Sequence, residues 1–217
     1  MQPPWEHPDW YDLHDTAWTA GSEREPEHYR EPRPLPASSR GDDHLVDVGA
    51  GTGKLAGLVV AAYPEIGRVT MLEPNAPKLA RAVARLGKVL PSARVHSRPV
   101  GLGPDTPSAA AALDVPATIV TIGSVFMPIM ELRGGTLADG LTWLHASLRQ
   151  IRTMLAPAGW MYDVETLAAP WASGGASDPV RRLRLPELGS EMERAGFGSL
   201  ECVYRFRDRV VVKAQPA

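Results

Sequence analysis

Apolar residues fall along this chain in short continuous runs and in longer helical stripes, and the two kinds alternate. Residues 45–48 form a short β-branched run, the pattern of a buried strand. Residues 54–63 follow with Leu55, Val59 and Ala62 on one helical face, and residues 69–72 make a second buried strand that ends on Glu73. Ala76–Leu86 carries a stripe of Leu79, Val83 and Leu86 behind Asn75, a residue suited to cap a helix. A third strand is expected at 94–96 and an Ala-rich short helix at 106–113. The unbroken apolar run Ala117–Gly123 suits the middle of a parallel sheet. The longest helix spans 137–155, with Leu141, Leu144, Leu148, Ile151 and Leu155 at helical spacing; His145, at the edge of that stripe, reads as structural. Pro157, Ala158 and Gly159 end it. A fifth strand at 160–165, a last helix at 186–195 and a hairpin of 199–206 with 209–213 complete the chain, while 166–184 reads as a mobile flap around Trp171. Strands alternating with helices predict an α/β protein.

Between the first two strands lies Gly49-Ala50-Gly51-Thr52-Gly53, a turn in which three residues lack a Cβ. Such a turn lets backbone approach a ligand closely, and the helix that follows offers unpaired N–H groups. A carboxylate can accept both hydroxyls of a ribose. Glu73 closes the second strand about 20 residues past Gly53, the separation at which dinucleotide folds place such an acid. The unit therefore reads as a βαβ site for an adenosine-containing ligand. Two narrower versions fail on spacing. A GxGxxG fingerprint needs Gly or Ala where Lys54 stands. A phosphate-binding P-loop needs Gly where Val48 stands and a hydroxyl where Leu55 stands.

What remains, Asp47-x-Gly49-x-Gly51-x-Gly53 with an acid closing the next strand, resembles the class I S-adenosylmethionine (SAM)-dependent methyltransferases of small-molecule type. The resemblance covers about residues 20–215, the phrase 193–197 and the closing hairpin included. It implies a Rossmann-like, doubly wound, seven-stranded, mostly parallel sheet with a C-terminal antiparallel hairpin. It also implies SAM as cofactor, held by Asp47, Gly49, Ala50, Gly51, Glu73 and Pro74. The stretch Ser22 to Tyr29 looks like the N-terminal helix of relatives such as glycine N-methyltransferase, and Arg24 is then the partner of the SAM carboxylate, since a guanidinium forks onto a carboxylate. Two positions depart from the family pattern. The third strand ends in Ser97-Arg98-Pro99-Val100 with no acid for the adenine amino group, leaving backbone near Val100 or Asp105. The fourth strand opens on Ala117-Thr118 where relatives often have Asp.

Residues 1–43 read as a helical lid and connector, and 44–217 as the SAM-binding core. Trp10, His14 and Trp18 recur at every fourth position with Tyr11 beside them: a helix face that packs on the domain, lids the site, or does both. Tyr11 and Trp18 are candidate acceptor-binding residues. So is Phe126, within an apolar stretch (124–130) that either lines an acceptor pocket or packs in the core. An acceptor hydroxyl or ammonium needs a base. His14 is the first candidate because imidazole titrates near neutrality, with Tyr11 and Asp163 behind it.

Composition narrows the acceptor. With 217 residues and 44% apolar content the chain makes one domain. A net charge of −2 and scattered Lys and Arg, apart from Arg181-Arg182-Leu183-Arg184, argue against a nucleic-acid groove. No apolar run approaches the roughly 20 residues of a membrane span, and the start lacks the pattern of a signal peptide. One cysteine, Cys202, and no Cys/His cluster of metal spacing fit a reducing cytoplasm and no metal. Abundant Ala, Arg, Pro and Gly suggest a bacterial source. The expectation is a methyltransferase acting on a small-molecule acceptor, monomeric or homodimeric, without nucleic-acid or membrane partners. Two alternatives stay open: a SAM-binding enzyme that catalyses a rearrangement or cyclisation, and a non-catalytic subunit keeping the fold.

Overall fold

The computed structural model describes residues 41–106, 108–168, 175–176, 178–206 and 209–217. The fold is α/β and Rossmann-like, with a seven-stranded, mostly parallel sheet in the order β3-β2-β1-β4-β5-β7-β6. The chain divides into two compact units, one ending at Pro99 and one beginning at Val100.

The first unit runs β1 (His44–Val48), α1 (Lys54–Ala62), β2 (Arg68–Leu72), α2 (Ala76–Leu86) and β3 (Val95–Arg98). Its strands are parallel, β2 lying between the other two, and Val48 stands opposite Leu72 so that β1 and β2 end level. Leu45, Val46, Val69 and Met71 are fully buried. Asn75 caps α2 as expected, its side chain accepting the Lys78 amide at 3.1 Å. The buried faces differ from the expected stripes. On α1 they are Ala56, Val59 and Val60 rather than Leu55 and Ala62. On α2, Ala82 is buried and Val83 is 39% exposed. The reason is a close approach of backbone: a Cβ built on Gly53 would stand 2.9 Å from both Cα and Cβ of Ala82. Two residues without bulk set the contact, so Ala82 takes the inward place of Val83, while Leu79 and Leu86 are buried as expected.

The second unit holds β4 (Ala117–Gly123), α3 (Phe126–Arg133), α4 (Leu137–Met154), β5 (Leu155–Thr166), α5 (Leu185–Arg194), β6 (Glu201–Phe206) and β7 (Arg209–Ala214). β4 and β5 are parallel, and β7 runs antiparallel between β5 and β6. The core of α4 is Trp143, Leu144, Leu148 and Ile151, with Thr136 and Asp139 forming a capping box at its start. His145 lies 3.9 Å from the buried Glu191, in keeping with a structural place. Residues 157–159 do not merely end the helix; they belong to the irregular start of β5, where the register with β4 slips.

Three further expectations change. The helix at 106–113 is only a 3-10 turn, Ala109–Ala112, too short to nucleate an α-helix between prolines. α3 has no helical period in its sequence; Pro128 sits in its first turn, where a missing N–H costs nothing. The flap reading falls partly outside the described residues, and 178–184, its longest described part, is pinned. Leu183 is 1% exposed and donates to Met127 Sδ, and Val180 donates to the Gly135 carbonyl.

The pin continues into α5. Glu187 takes bidentate hydrogen bonds from Arg181 (2.9 and 2.7 Å) and a third from Arg184. The Arg181 guanidinium, aided by Arg184, holds the Glu187 carboxyl down at about 2. A depressed acid stabilises the fold above its unfolded value and loses that contribution as pH falls toward the folded one. Glu187→Gln should therefore lower stability at neutral pH and flatten the acid limb of a stability-against-pH curve measured by urea denaturation.

Candidate functional site

At the carboxyl ends of β1 and β2 the chain leaves the ladder and must satisfy its amides elsewhere. Gly49 and Ala50 both donate to the Leu72 carbonyl, at 2.8 and 3.0 Å. The Gly51 amide donates to Glu73 Oε2 and the Asn75 amide to Glu73 Oε1, each at 2.9 Å. Gly49, Gly51 and Gly53 have φ of 66°, 53° and 77°, a region that residues with a Cβ enter at a cost. These three glycines answer different needs. Gly53 is pressed on Ala82, whereas among the described residues a Cβ on Gly51 would meet nothing nearer than the Gly49 carbonyl at 3.9 Å. Open ground therefore lies beside the turn at Gly51, with a buried carboxylate fixed next to it.

Other groups hold this turn from behind. Asp47 is buried and accepts the Ala56 amide at 3.3 Å, tying the end of β1 to the start of α1. Arg85 of α2 donates to the Thr52 carbonyl at 2.9 Å, a brace that no sequence signal announced. The first unit thus brings Asp47, Gly49, Ala50, Gly51, Glu73 and Pro74 around one turn, with Ala50 buried and Pro74 exposed. A carboxylate offers about four acceptor positions. The Gly51 and Asn75 amides use one on each oxygen, so Glu73 keeps acceptor capacity for a hydroxylated ligand.

In the second unit Val100 is half-buried and Asp105 exposed. The loop they share is clamped at Gly103, whose N–H and C=O both bond the Gln150 side chain (3.3 and 2.9 Å), and whose missing Cβ makes room for Trp143. Gln150 and Trp143 were not singled out by sequence, since nothing in a helical stripe marks a side chain that closes on a distant loop. Phe126 is fully buried, its ring edge-on to Trp143 with centroids 6.4 Å apart, which is the core-packing alternative. Asp163 is also fully buried. Burial, with the neighbouring Glu165 charge added, raises its carboxyl well above the ordinary range. His14, Tyr11, Trp18 and Arg24 lie outside the described residues. Among the described residues no group of three or more His, Cys, Asp or Glu could hold a metal ion, and no helix is long and apolar enough to cross a membrane.

Solved structures share this fold. SibL, described as a SAM-dependent methyltransferase, matches 96% of this chain over 58% of its own, with a TM-score of 0.66 and 16% identity. An O-methyltransferase family protein from Burkholderia thailandensis matches 98% over 61% of its own, with a TM-score of 0.66 and 13% identity. An O-methyltransferase from neocarzinostatin biosynthesis, solved with SAM and 2-hydroxy-5-methyl naphthoic acid, matches 97% over 58% of its own, with a TM-score of 0.61 and 18% identity. The chain spans about three-fifths of the length of these proteins. No family model and no curated protein matches it. At these identities the likeness establishes the fold.

The geometry separates the glycines experimentally. Gly53→Ala combines a left-handed φ with a backbone clash and should cost about 3 kcal/mol or more of stability. Gly51→Ala meets open space and should cost only the backbone conformation, about 1–2 kcal/mol. Denaturant midpoints of the two variants check the order.

Proposed function

We propose that the chain binds S-adenosylmethionine at the glycine turn and is a methyltransferase acting on a small-molecule acceptor. The observation that carries this reading is the pairing of open ground at Gly51 with a buried Glu73 whose two oxygens are fixed but not exhausted. A nucleoside fits such a cradle. Gly49, Ala50 and Gly51 let it approach the backbone, and Glu73 accepts its ribose hydroxyls. Asp47 keeps the turn fastened to α1, and Pro74 flanks the acid. When bound, SAM supplies a methyl group already activated on a sulfonium, which leaves the chain the tasks of alignment and water exclusion.

The fold shared with the SAM-dependent methyltransferase SibL and with an O-methyltransferase solved with SAM and a naphthoic acid supports the class. The roles of Arg24 at the SAM carboxylate, Val100 near the adenine, His14 as base and Tyr11, Trp18 and Phe126 around the acceptor belong to this proposal on the sequence reading. For Phe126 the contribution is through packing, since its ring is buried. A reducing bacterial cytoplasm is the compartment we assign, Cys202 being exposed and unbridged.

Calorimetric titration of SAM and of S-adenosylhomocysteine into the purified chain tests the reading. Saturable binding at one site is expected, and no heat at saturating ligand would remove it. Glu73→Ala should weaken binding about 10- to 100-fold, the worth of hydrogen bonds to a charged group. With binding in hand, a product one methyl heavier than its acceptor distinguishes transfer from a rearrangement, in which mass is unchanged.

A further inference from the structure

The most unusual groups in the second unit are two carboxyls that the cofactor reading leaves unused. Alternation along β5 puts Asp163 and Glu165 on one face, and both are buried, at 0% and 2% exposure. Their neighbours across the ladder are apolar: Ile122 of β4 and Val212 of β7 stand opposite Asp163, and Val210 opposite Glu165. The buried face of α4 carries no titratable residue. On α5 the buried acid, Glu191, is taken by Arg194 at 2.8 Å. Among the described residues the segment 178–184 brings Arg182 toward the pair, and Arg182 also bonds Glu131 of α3 (2.9 Å) and the Thr166 carbonyl.

The two acids are not equivalent. Glu165 Oε1 accepts the amides of Val125 (2.8 Å) and Phe126 (2.6 Å), while its Oε2 and both oxygens of Asp163 find no hydrogen-bond partner among the described residues. The amides that Glu165 holds follow Ser124, which has φ of 53°, a left-handed conformation unusual for a residue with a Cβ. Ser124 donates in turn to the Val164 carbonyl at 2.8 Å. Three consecutive amides at the exit of β4 are therefore held by Val164 and Glu165. That exit is a carboxyl end of the sheet, where open α/β proteins bind ligands.

We propose that Glu165 is a positioning residue for the turn Ser124–Val125–Phe126, and that Asp163, on the same buried face of β5, forms one carboxyl pair with it. Two acids this deeply buried do not both ionise. Asp163 finds no donor among the described residues, and burial, with the Glu165 charge beside it, raises its carboxyl well above the ordinary range. Burial pushes Glu165 up to about 7, against the pull of its amide donors and of Arg182. The turn is consequently held by a carboxylate above neutrality and by a neutral acid below it. Where this turn serves the acceptor side of the site, a consequence that rests on the methyltransferase reading, activity acquires a pH dependence that belongs to no reacting group.

Linkage gives a second consequence. The folded pair binds protons more tightly than the unfolded chain, so its contribution to stability is greatest below the unfolded carboxyl range. It declines as pH rises from 4.5 toward about 7 for Glu165.

The test follows the backbone amides of Val125 and Phe126 by nitrogen–proton NMR through neutral pH, with neither cofactor nor acceptor present. Both signals should move together along one titration centred near pH 7, and no common titration in the wild-type chain would overturn the proposal. Glu165→Gln, which keeps an accepting oxygen, should abolish that titration and flatten the fall of stability with pH. A titration that persists in it would overturn the assignment. Asp163→Asn copies the protonated acid and should leave the midpoint in place; a fall of more than about one pH unit would show that Asp163 had been charged. A chain that gives this titration but binds no SAM retains the pair and loses the methyltransferase reading, and the opposite result does the reverse.

Discussion

A parallel sheet with level strand ends leaves the amides of its first crossover without a ladder, and the structure meets that constraint with one carbonyl and one carboxylate. The Leu72 carbonyl takes Gly49 and Ala50, and Glu73 takes Gly51 and Asn75. The level ending of β1 and β2, fixed by the register of Val48 with Leu72, is what puts these acceptors beside the turn. Positive φ at three glycines follows from bending the backbone around them. So does the start of α1, which is packed through Gly53 on Ala82 of α2. Deprived of Glu73, the turn would keep two of its anchors and lose the two that face the open side.

The second unit solves a similar problem by a similar device. There the acid closing β5 accepts the amides at the exit of β4, as the acid closing β2 does for the exit of β1. The two differ in what lies over the turn. Beside Gly51 a Cβ would meet nothing nearer than 3.9 Å among the described residues, the space that the proposed ligand would take. After Ser124 comes Phe126, buried against Trp143, so the space is filled by the protein itself. One acid is thereby left with acceptor capacity toward a ligand, and the other is sealed in an apolar bed where its charge becomes costly. Identical chemistry at two strand ends is given different tasks by the bulk of one or two neighbours.

This contrast also explains what could be read in the sequence. The first crossover was legible because each step leaves a mark: glycines for φ, a β-branched run for each strand, an acid at the strand end, Asn75 for the cap. Strand β4 and helix α2 were legible to the residue for the same reason. Glu165 was not, although it stands where Glu73 does, at the end of a strand, because the turn it holds carries its left-handed φ on Ser124 and not on a glycine. α3 was hidden by Pro128, which a helix accepts only in its first turn, and the buried faces of α1 and α2 shifted because an approach between Gly53 and Ala82 outweighs the larger side chains. Side chains that act on distant backbone, Arg85 on Thr52 and Gln150 on Gly103, carry no local signature at all. Pairings across more than thirty residues exist only once the chain has folded.

The basic run at 181–184 shows how folding also decides what a charge is for. On composition alone it was the one cluster that fitted a polyanion. In the structure Arg181 and Arg184 both close on Glu187, and Arg182 closes on Glu131 while bonding the Thr166 carbonyl. An arginine already forked onto a carboxylate presents little uncompensated field to a phosphate backbone, whose binding is driven by neutralising charge after charge. These arginines instead fasten the strap 178–184 to α3, to β5 and to the first turn of α5, around the Leu183 amide that reaches Met127. The positive charge is thus spent inside the second unit, on holding in place the segment that follows β5.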